Sequence, residues 1–246
     1  MDRDYLKSIL KRLVSFTPYA VLNGRQRRGI SIAQDLAALL ASNRSPTIFD
    51  VGANEGQTAK SFSRAFPNAR IHSFEPVRSS FDKLTLNARE MPNVQCYRYA
   101  VGASSGEVTL HIQSTSELNS LVASLNVETG HGSEPVQMIT VEGFCVAAEL
   151  HHINLLKTDT EGFDLEVLFG AELLLKDQRI DLVLSEIGFR LGDIRHTALS
   201  ALLSLLEPYG YYLFALYDLP APRCTPSLEY ANALFVRGTL FGADVG

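Results

Sequence analysis

Two stretches of this chain bring together side chains that could do chemistry. In "TIFDVGANEGQTAKSF", residues 47–62, the β-favouring Thr47, Ile48, Phe49 and Val51 surround Asp50 and run into a polar turn in which Gly52 and Gly56 flank Asn54 and Glu55. Ala59, Phe62 and Phe66 then recur at helical spacing, so a helix is expected to begin near Gly56. Glycine at both places permits a tight turn or a close backbone approach. The amides at the start of that helix would face the end of the strand, the place where α/β proteins hold nucleotide-like ligands. An ordinary strand-to-helix turn is the plainer alternative. Glu75 ends the strand-like "RIHSF", 25 positions after Asp50, near the offset at which a doubly wound domain sets a carboxylate on a ribose hydroxyl pair. Pro76 disfavours helical geometry at Glu75 and keeps that carboxylate in an extended exit.

The second stretch is "LLKTDTEG", an apolar strand ending in Asp159 and Glu161. Alternation along a strand puts these two carboxylates on one face, from which both can reach a cleft. Their competing role is to cap the following helix, through Asp159 or Thr160. Glu186, at the end of "DLVLSE", enters the same rim from a neighbouring strand, as an acceptor-binding group or as a solvated strand end. The six histidines show no H-x-x-x-H pattern, so no histidine-built metal site is expected; His196 can visit the acceptor side from its loop, but reads first as a helix-capping or surface residue. "GANEG" lacks the G-x-G-x-x-G spacing by which a backbone hugs pyrophosphate. A cofactor with a ribose but no phosphates suits the turn better. S-adenosyl-methionine meets that description, its amino-acid end received by the polar turn.

Positioning these groups takes a regular alternation of elements. Helical patterns over about 31–41, 77–89, from 163 onward and 197–206 alternate with strand patterns ending at Asp50, over 70–74 and 94–101, and in "INLLKTDTEG" and "IDLVLSEIG". Such alternation argues for an α/β domain with a mainly parallel sheet and helices on both faces. "GEVTLHI" and "EPVQMITV" read as additional strands around a polar loop, 113–133, that can cover a site. "YYLFALYDL" and "NALFVRG" read as a final hairpin with an antiparallel strand at one edge. Residues 1–45 are expected to form an N-terminal helical extension and 46–246 the catalytic domain.

Four motifs in order, "FDVGANEGQTA", "FEP", "YAVGASSGEVTL" and "INLLKTDTEGFDLEVLFGA", resemble the FkbM family of S-adenosyl-methionine-dependent methyltransferases over about residues 47–235. The resemblance implies the class I methyltransferase (Rossmann-like) fold, a seven-stranded sheet with an antiparallel last strand. It also implies O-methylation, often of a sugar or polyketide hydroxyl. Carried onto this chain, it sets the methionine end of the cofactor over Asp50, Gly52, Asn54 and Gly56, the ribose on Glu75 and the adenine against Ala100 and Val101. "YAVG" lacks the acidic residue that many class I methyltransferases place near the adenine amino group. Asp159 and Glu161 would stand beside cofactor and acceptor.

Methyl transfer from a sulfonium is an in-line displacement, so positioning and exclusion of water dominate. An alcohol needs its proton removed, and Asp159, Glu161 or Glu186 can accept it or orient the hydroxyl. The same carboxylates leave room for a divalent metal, which the sequence does not indicate. Composition fits this picture: 46% hydrophobic and 20% charged residues describe a folded globular chain, and a net charge of −5 offers nothing to a nucleic-acid backbone. Cys96, Cys145 and Cys224 are odd in number and widely spaced, as in a reducing cytoplasm, and no apolar run reaches the length of a membrane span or signal peptide. Residues 4–16 form a basic amphipathic pattern, which reads first as a packed helix and second as a membrane-surface or partner-docking helix. The expectation is a cytoplasmic O-methyltransferase acting on a sugar hydroxyl of a glycan, glycolipid or glycosylated metabolite. Its alternatives are a polyketide or other small-metabolite methyltransferase and a cofactor-binding but catalytically silent partner subunit.

Overall fold

The structure, a computed structural model, describes residues 28–112, 132–190, 192–219 and 228–241. The amphipathic stretch 4–16, most of "GRQRRG", the polar loop 113–131 and Cys224 lie outside these residues.

The main sheet is built on β1 (Thr47–Val51), which pairs in parallel with β2 (Arg70–Phe74) on one side and β7 (Ile153–Thr158) on the other. β3 (Val94–Tyr97) extends the β2 side, and β8 (Ile180–Gly188) the β7 side. β10 (Tyr211–Tyr217) and β11 (Tyr230–Arg237) complete the order β10–β11–β8–β7–β1–β2–β3, with the two-residue β9 (Thr197–Ala198) beside the end of β8. Chain order reverses between β1's two neighbours, so the cleft opens beyond the carboxyl ends of β1 and β7.

Strand alternation divides the core into two layers. Ile48, Leu155 and Leu182 face Leu36 of α1 (Ile32–Leu39) and Phe62 of α2 (Gln57–Ala65). Phe49, Leu156 and Val183 face the other way, onto α4 (Val141–Ala147), α5 (Asp164–Phe169), α6 (Glu172–Lys176) and α7 (Leu199–Leu206). Helices therefore cover both faces, and β1 and β7 are buried along their whole lengths. α3 (Arg78–Ala88) connects β2 to β3. Part of the expected extension belongs to this core, since Tyr217 donates to buried Asp35 of α1 at 2.7 Å.

Four local readings are corrected. The strand expected over 94–101 is two: after Tyr97 the chain leaves the main sheet, and β4 (Ala100–Val101) joins β6 (Gly132–Ile139) and β5 (Gly106–Ile112) in a three-stranded sheet. The end of "EPVQMITV" is not strand, because Thr140 Oγ1 accepts from the Gly143 amide at 2.9 Å and caps α4. The helix expected from residue 163 breaks into α5 and α6 at Gly170, where a Cβ would stand 2.1 Å from the Gly102 carbonyl. The antiparallel strand is not at the edge: β11 lies between β8 and β10, and β10 is the edge. Burial explains that exchange, since Ala231, Ala233, Leu234, Phe235 and Val236 are all buried whereas most of β10 is partly exposed.

Candidate functional site

The turn after β1 is fastened to both neighbouring strands. The Gly52 and Ala53 amides donate to the Phe74 carbonyl at 3.1 and 3.0 Å, and the Asp159 amide donates to the Val51 carbonyl at 3.1 Å. Gly52 takes φ +75°, and a Cβ there would lie 1.8 Å from the Asp159 carbonyl oxygen. The glycine thus lets the exits of β1 and β7 touch. Beyond it, the Asn54 amide donates to Glu75 Oε2 and the Val77 amide to Oε1, both at 2.9 Å. Glu75 is buried where β2 ends, and burial, acting against those amides, pushes its carboxyl up to about 7.

These groups wall a cavity of about 470 Å³. At one end lie Val77, Ala100 and Leu110 with Phe163 packed against them, an apolar slot of the kind a flat ring fills. Gly52, Asn54 and Glu75 occupy the middle, and Asp159, Glu161 and Glu186 the far end. Val101 also lines the cavity. Asp50 and Gly56 do not. Asp50 is fully buried behind the wall, and Gly56 caps α2 at φ +94° with its open side against Leu84.

What holds Asp50 there is Lys157, a residue the sequence reading passed over. In register beside Asp50 on β7, it lies with its side chain only 5% exposed, 3.1 Å from Asp50 Oδ1, 3.3 Å from Asp159 Oδ2 and 3.2 Å from the Gly52 carbonyl. Burial opposes its charge, but the two carboxylates outweigh that and hold the ammonium above its ordinary value. One cation thereby joins the hidden carboxylate to the cavity-facing one. Its signal was the one charged residue in the strand pattern "INLLKT".

At the far end, Glu161 takes the left-handed φ of +52°, and Gly162 follows at +91° with its open side against the Ile194 carbonyl. This turn seats the segment carrying Asp193 and His196 over the cavity, where both side chains line the wall. Burial, then nearby Asp159, pushes Glu161 up to about 7; burial, then Asp159, Glu161 and Asp164, pushes Glu186 up to about 8. His196 Nδ1 lies 2.8 Å from Asp193 Oδ2, and its ring stacks on Tyr230, with centroids 5.4 Å apart and planes 10° apart. His196 has a side chain only 11% exposed and lines the cavity, so of its two readings the surface one does not hold. Tyr230, on β11, had no sequence signal because its place depends on where that strand inserts.

The wall suits S-adenosyl-methionine. Asn54 Oδ1 is buried without a hydrogen-bond partner and can accept from an ammonium, Glu75 keeps free lone pairs for hydroxyls, and the apolar slot can take a purine. Among the described residues no group of three or more His, Cys, Asp or Glu side chains is arranged to hold a metal ion. Among them, too, no helix is long and apolar enough to cross a membrane.

Residues 50–213 match the family described as the methyltransferase FkbM domain. The hexuronic acid methyltransferase AglP of Haloferax volcanii is 30% identical over 176 residues, which cover 70% of this chain and 69% of that protein. The 2-O-methyltransferase NoeI of Sinorhizobium fredii is 24% identical over 147 residues, 54% of this chain and 60% of that one. Among solved structures, an rRNA methylase from Streptococcus thermophilus superposes with a TM-score of 0.49 at 11% identity, over 86% of this chain and 97% of that chain.

Proposed function

The chain belongs to the FkbM methyltransferase family, and from that membership we propose that it methylates a hydroxyl group of a sugar. It is an S-adenosyl-methionine-dependent methyltransferase. When bound, the cofactor supplies a methyl carbon made electrophilic by its sulfonium. Asn54 and the Gly52 turn receive its amino-acid end, Glu75 the ribose, and the slot beside Ala100 and Val101 the adenine. Asp50 and Gly56 act from behind, one by anchoring Lys157 and the other by starting α2.

The observation that carries the sugar reading is the far end of the cavity, where Asp159, Glu161 and Glu186 converge beside the stacked His196–Tyr230 pair. Carboxyl groups bind the several hydroxyls of a sugar, and an aromatic ring covers its less polar face. A polyketide offers fewer hydroxyls to such a set. The similarity to a hexuronic acid methyltransferase and a 2-O-methyltransferase supports the same reading. Asp159 is placed to orient the reacting hydroxyl, because Lys157 fixes it where the β1 and β7 exits meet. The free thiols of Cys96 and Cys145 suit a reducing compartment, for which we propose the cytoplasm.

Labelled methyl transfer to a panel of uronic acid glycosides, neutral glycosides and hydroxylated polyketide-like compounds tests the proposal, with mass spectrometry locating the new methyl group. Transfer to a sugar hydroxyl is expected. Asp159→Asn should keep the fold and much of the cofactor affinity while lowering turnover about a hundredfold. Transfer only to non-sugar acceptors would refute the substrate class. A folded protein that binds cofactor and methylates nothing in the panel would favour the silent-subunit alternative.

A further inference from the structure

Three carboxyl groups reach the acceptor end, crowded against one another. Burial and the neighbouring carboxylates push Glu161 up to about 7 and Glu186 up to about 8. Asp159 is engaged by the Lys157 ammonium. His196 is arranged differently.

Its Nδ1 faces Asp193 Oδ2 at 2.8 Å, while Asp193 Oδ1 accepts the backbone amides of Arg195 at 2.9 Å and His196 at 3.3 Å. Burial works against the Asp193 charge, but the His196 ring and these amides outweigh it and keep the carboxyl below its ordinary range. An ionised Asp193 requires a proton on Nδ1, which leaves the lone pair of a neutral imidazole on Nε2. Nε2 lies 3.5 Å from Glu186 Oε2, beyond the ordinary length of a hydrogen bond. Gly188 gives the pair its room: a Cβ there would stand 2.9 Å from both Asp193 Oδ2 and the His196 Cβ.

We propose that His196 is the general base of the reaction, taking the acceptor's hydroxyl proton on Nε2, and that Asp193 is the positioning residue that fixes its tautomer. This assignment rests on the hydroxyl-methylating reading of the same cavity. As the acceptor oxygen bonds to the methyl carbon, the carbon–sulfur bond breaks with its electron pair passing to sulfur. The hydroxyl proton moves to Nε2, and the positive charge passes from the sulfonium to the imidazolium, which then releases the proton to water. The groups facing the ring are Asp193 from its own segment, Glu186 from β8, Glu161 from the β7 exit and Tyr230 from β11.

Two measurements test this. On a methylated acceptor, His196→Gln should lower kcat about a hundredfold or more and abolish the acid limb of the pH–rate profile, while calorimetry finds cofactor affinity little altered. Asp193→Asn should lower kcat with KM nearly kept. Wild-type turnover and an unaltered acid limb in His196→Gln would overturn the proposal even if sugar methylation stands. Separately, nitrogen-15 NMR of the wild type with bound S-adenosyl-homocysteine at about pH 8 should show the His196 ring protonated on Nδ1, and Asp193→Asn should shift that tautomer. A wild-type ring protonated on Nε2 overturns the assignment without any acceptor, so its failure is distinct from failure of the sugar reading.

Discussion

Glu75 shows how much one side chain can be asked to do. Its two oxygens already accept the Asn54 and Val77 amides, so the carboxylate shapes the turn as well as presenting acceptors to the cavity. Glu75→Gln replaces one acceptor oxygen with a donor that opposes an amide and leaves one acceptor fewer for a hydroxyl pair. The loss should be about 1.5–3 kcal/mol of cofactor binding, or roughly ten- to a hundredfold in affinity. Calorimetry with S-adenosyl-homocysteine measures it, and unchanged affinity in a folded variant would remove Glu75 from the ribose. Residues such as Glu75, Asp159 and Glu186 were legible in the sequence because each is a polar residue ending an apolar strand. Lys157 was hidden because a buried cation makes sense only beside Asp50, 107 positions away in sequence but adjacent in register. His196 read first as a capping or surface residue because its orientation comes from Gly188 and the turn at Glu161, both outside its own segment.

The decisive contact at the level of elements is between the exits of β1 and β7. Gly52 was expected to serve the cofactor, but its open side is taken by the backbone of Asp159, so it first brings two strands together. Gly52→Ala places a methyl group into a carbonyl that cannot swing away, on a backbone at φ +75°. A destabilisation of about 3 kcal/mol or more is expected. Urea unfolding would show it as a lower midpoint, and a variant as stable as wild type would contradict the close approach. The alternating elements themselves were readable, because period and glycine punctuation are local properties. The position of β11 between β8 and β10 was not, since a hairpin pattern specifies which strands are sequential and not which one enters the sheet.

For the molecule as a whole, the cavity concentrates carboxyl groups in a chain that is already acidic, and this gives its stability a definite pH dependence. Glu75 and Glu161 are pushed up to about 7 and Glu186 to about 8, all chiefly by burial, from an ordinary value of 4.5. A carboxyl raised in the folded state keeps a proton that the unfolded chain has released, so stability falls as pH rises through that window. His72 opposes the trend at lower pH: burial and then Arg70 lower it to about 4, so folding is favoured as the unfolded histidine loses its proton toward its ordinary value of 6.5. Below about pH 6.5 the histidine offsets only one of these carboxyls, to which buried Asp164, pushed up to about 6, adds, and above it the carboxyls act alone. The melting temperature of the cofactor-free protein should therefore fall as pH rises from about 5 to 8. Glu186→Gln should make that fall shallower by removing the group raised furthest. A melting temperature that rises across the upper window would mean that these carboxyls are ionised in the folded protein, and the acceptor end would then present negative charge where hydrogen-bond donors are expected.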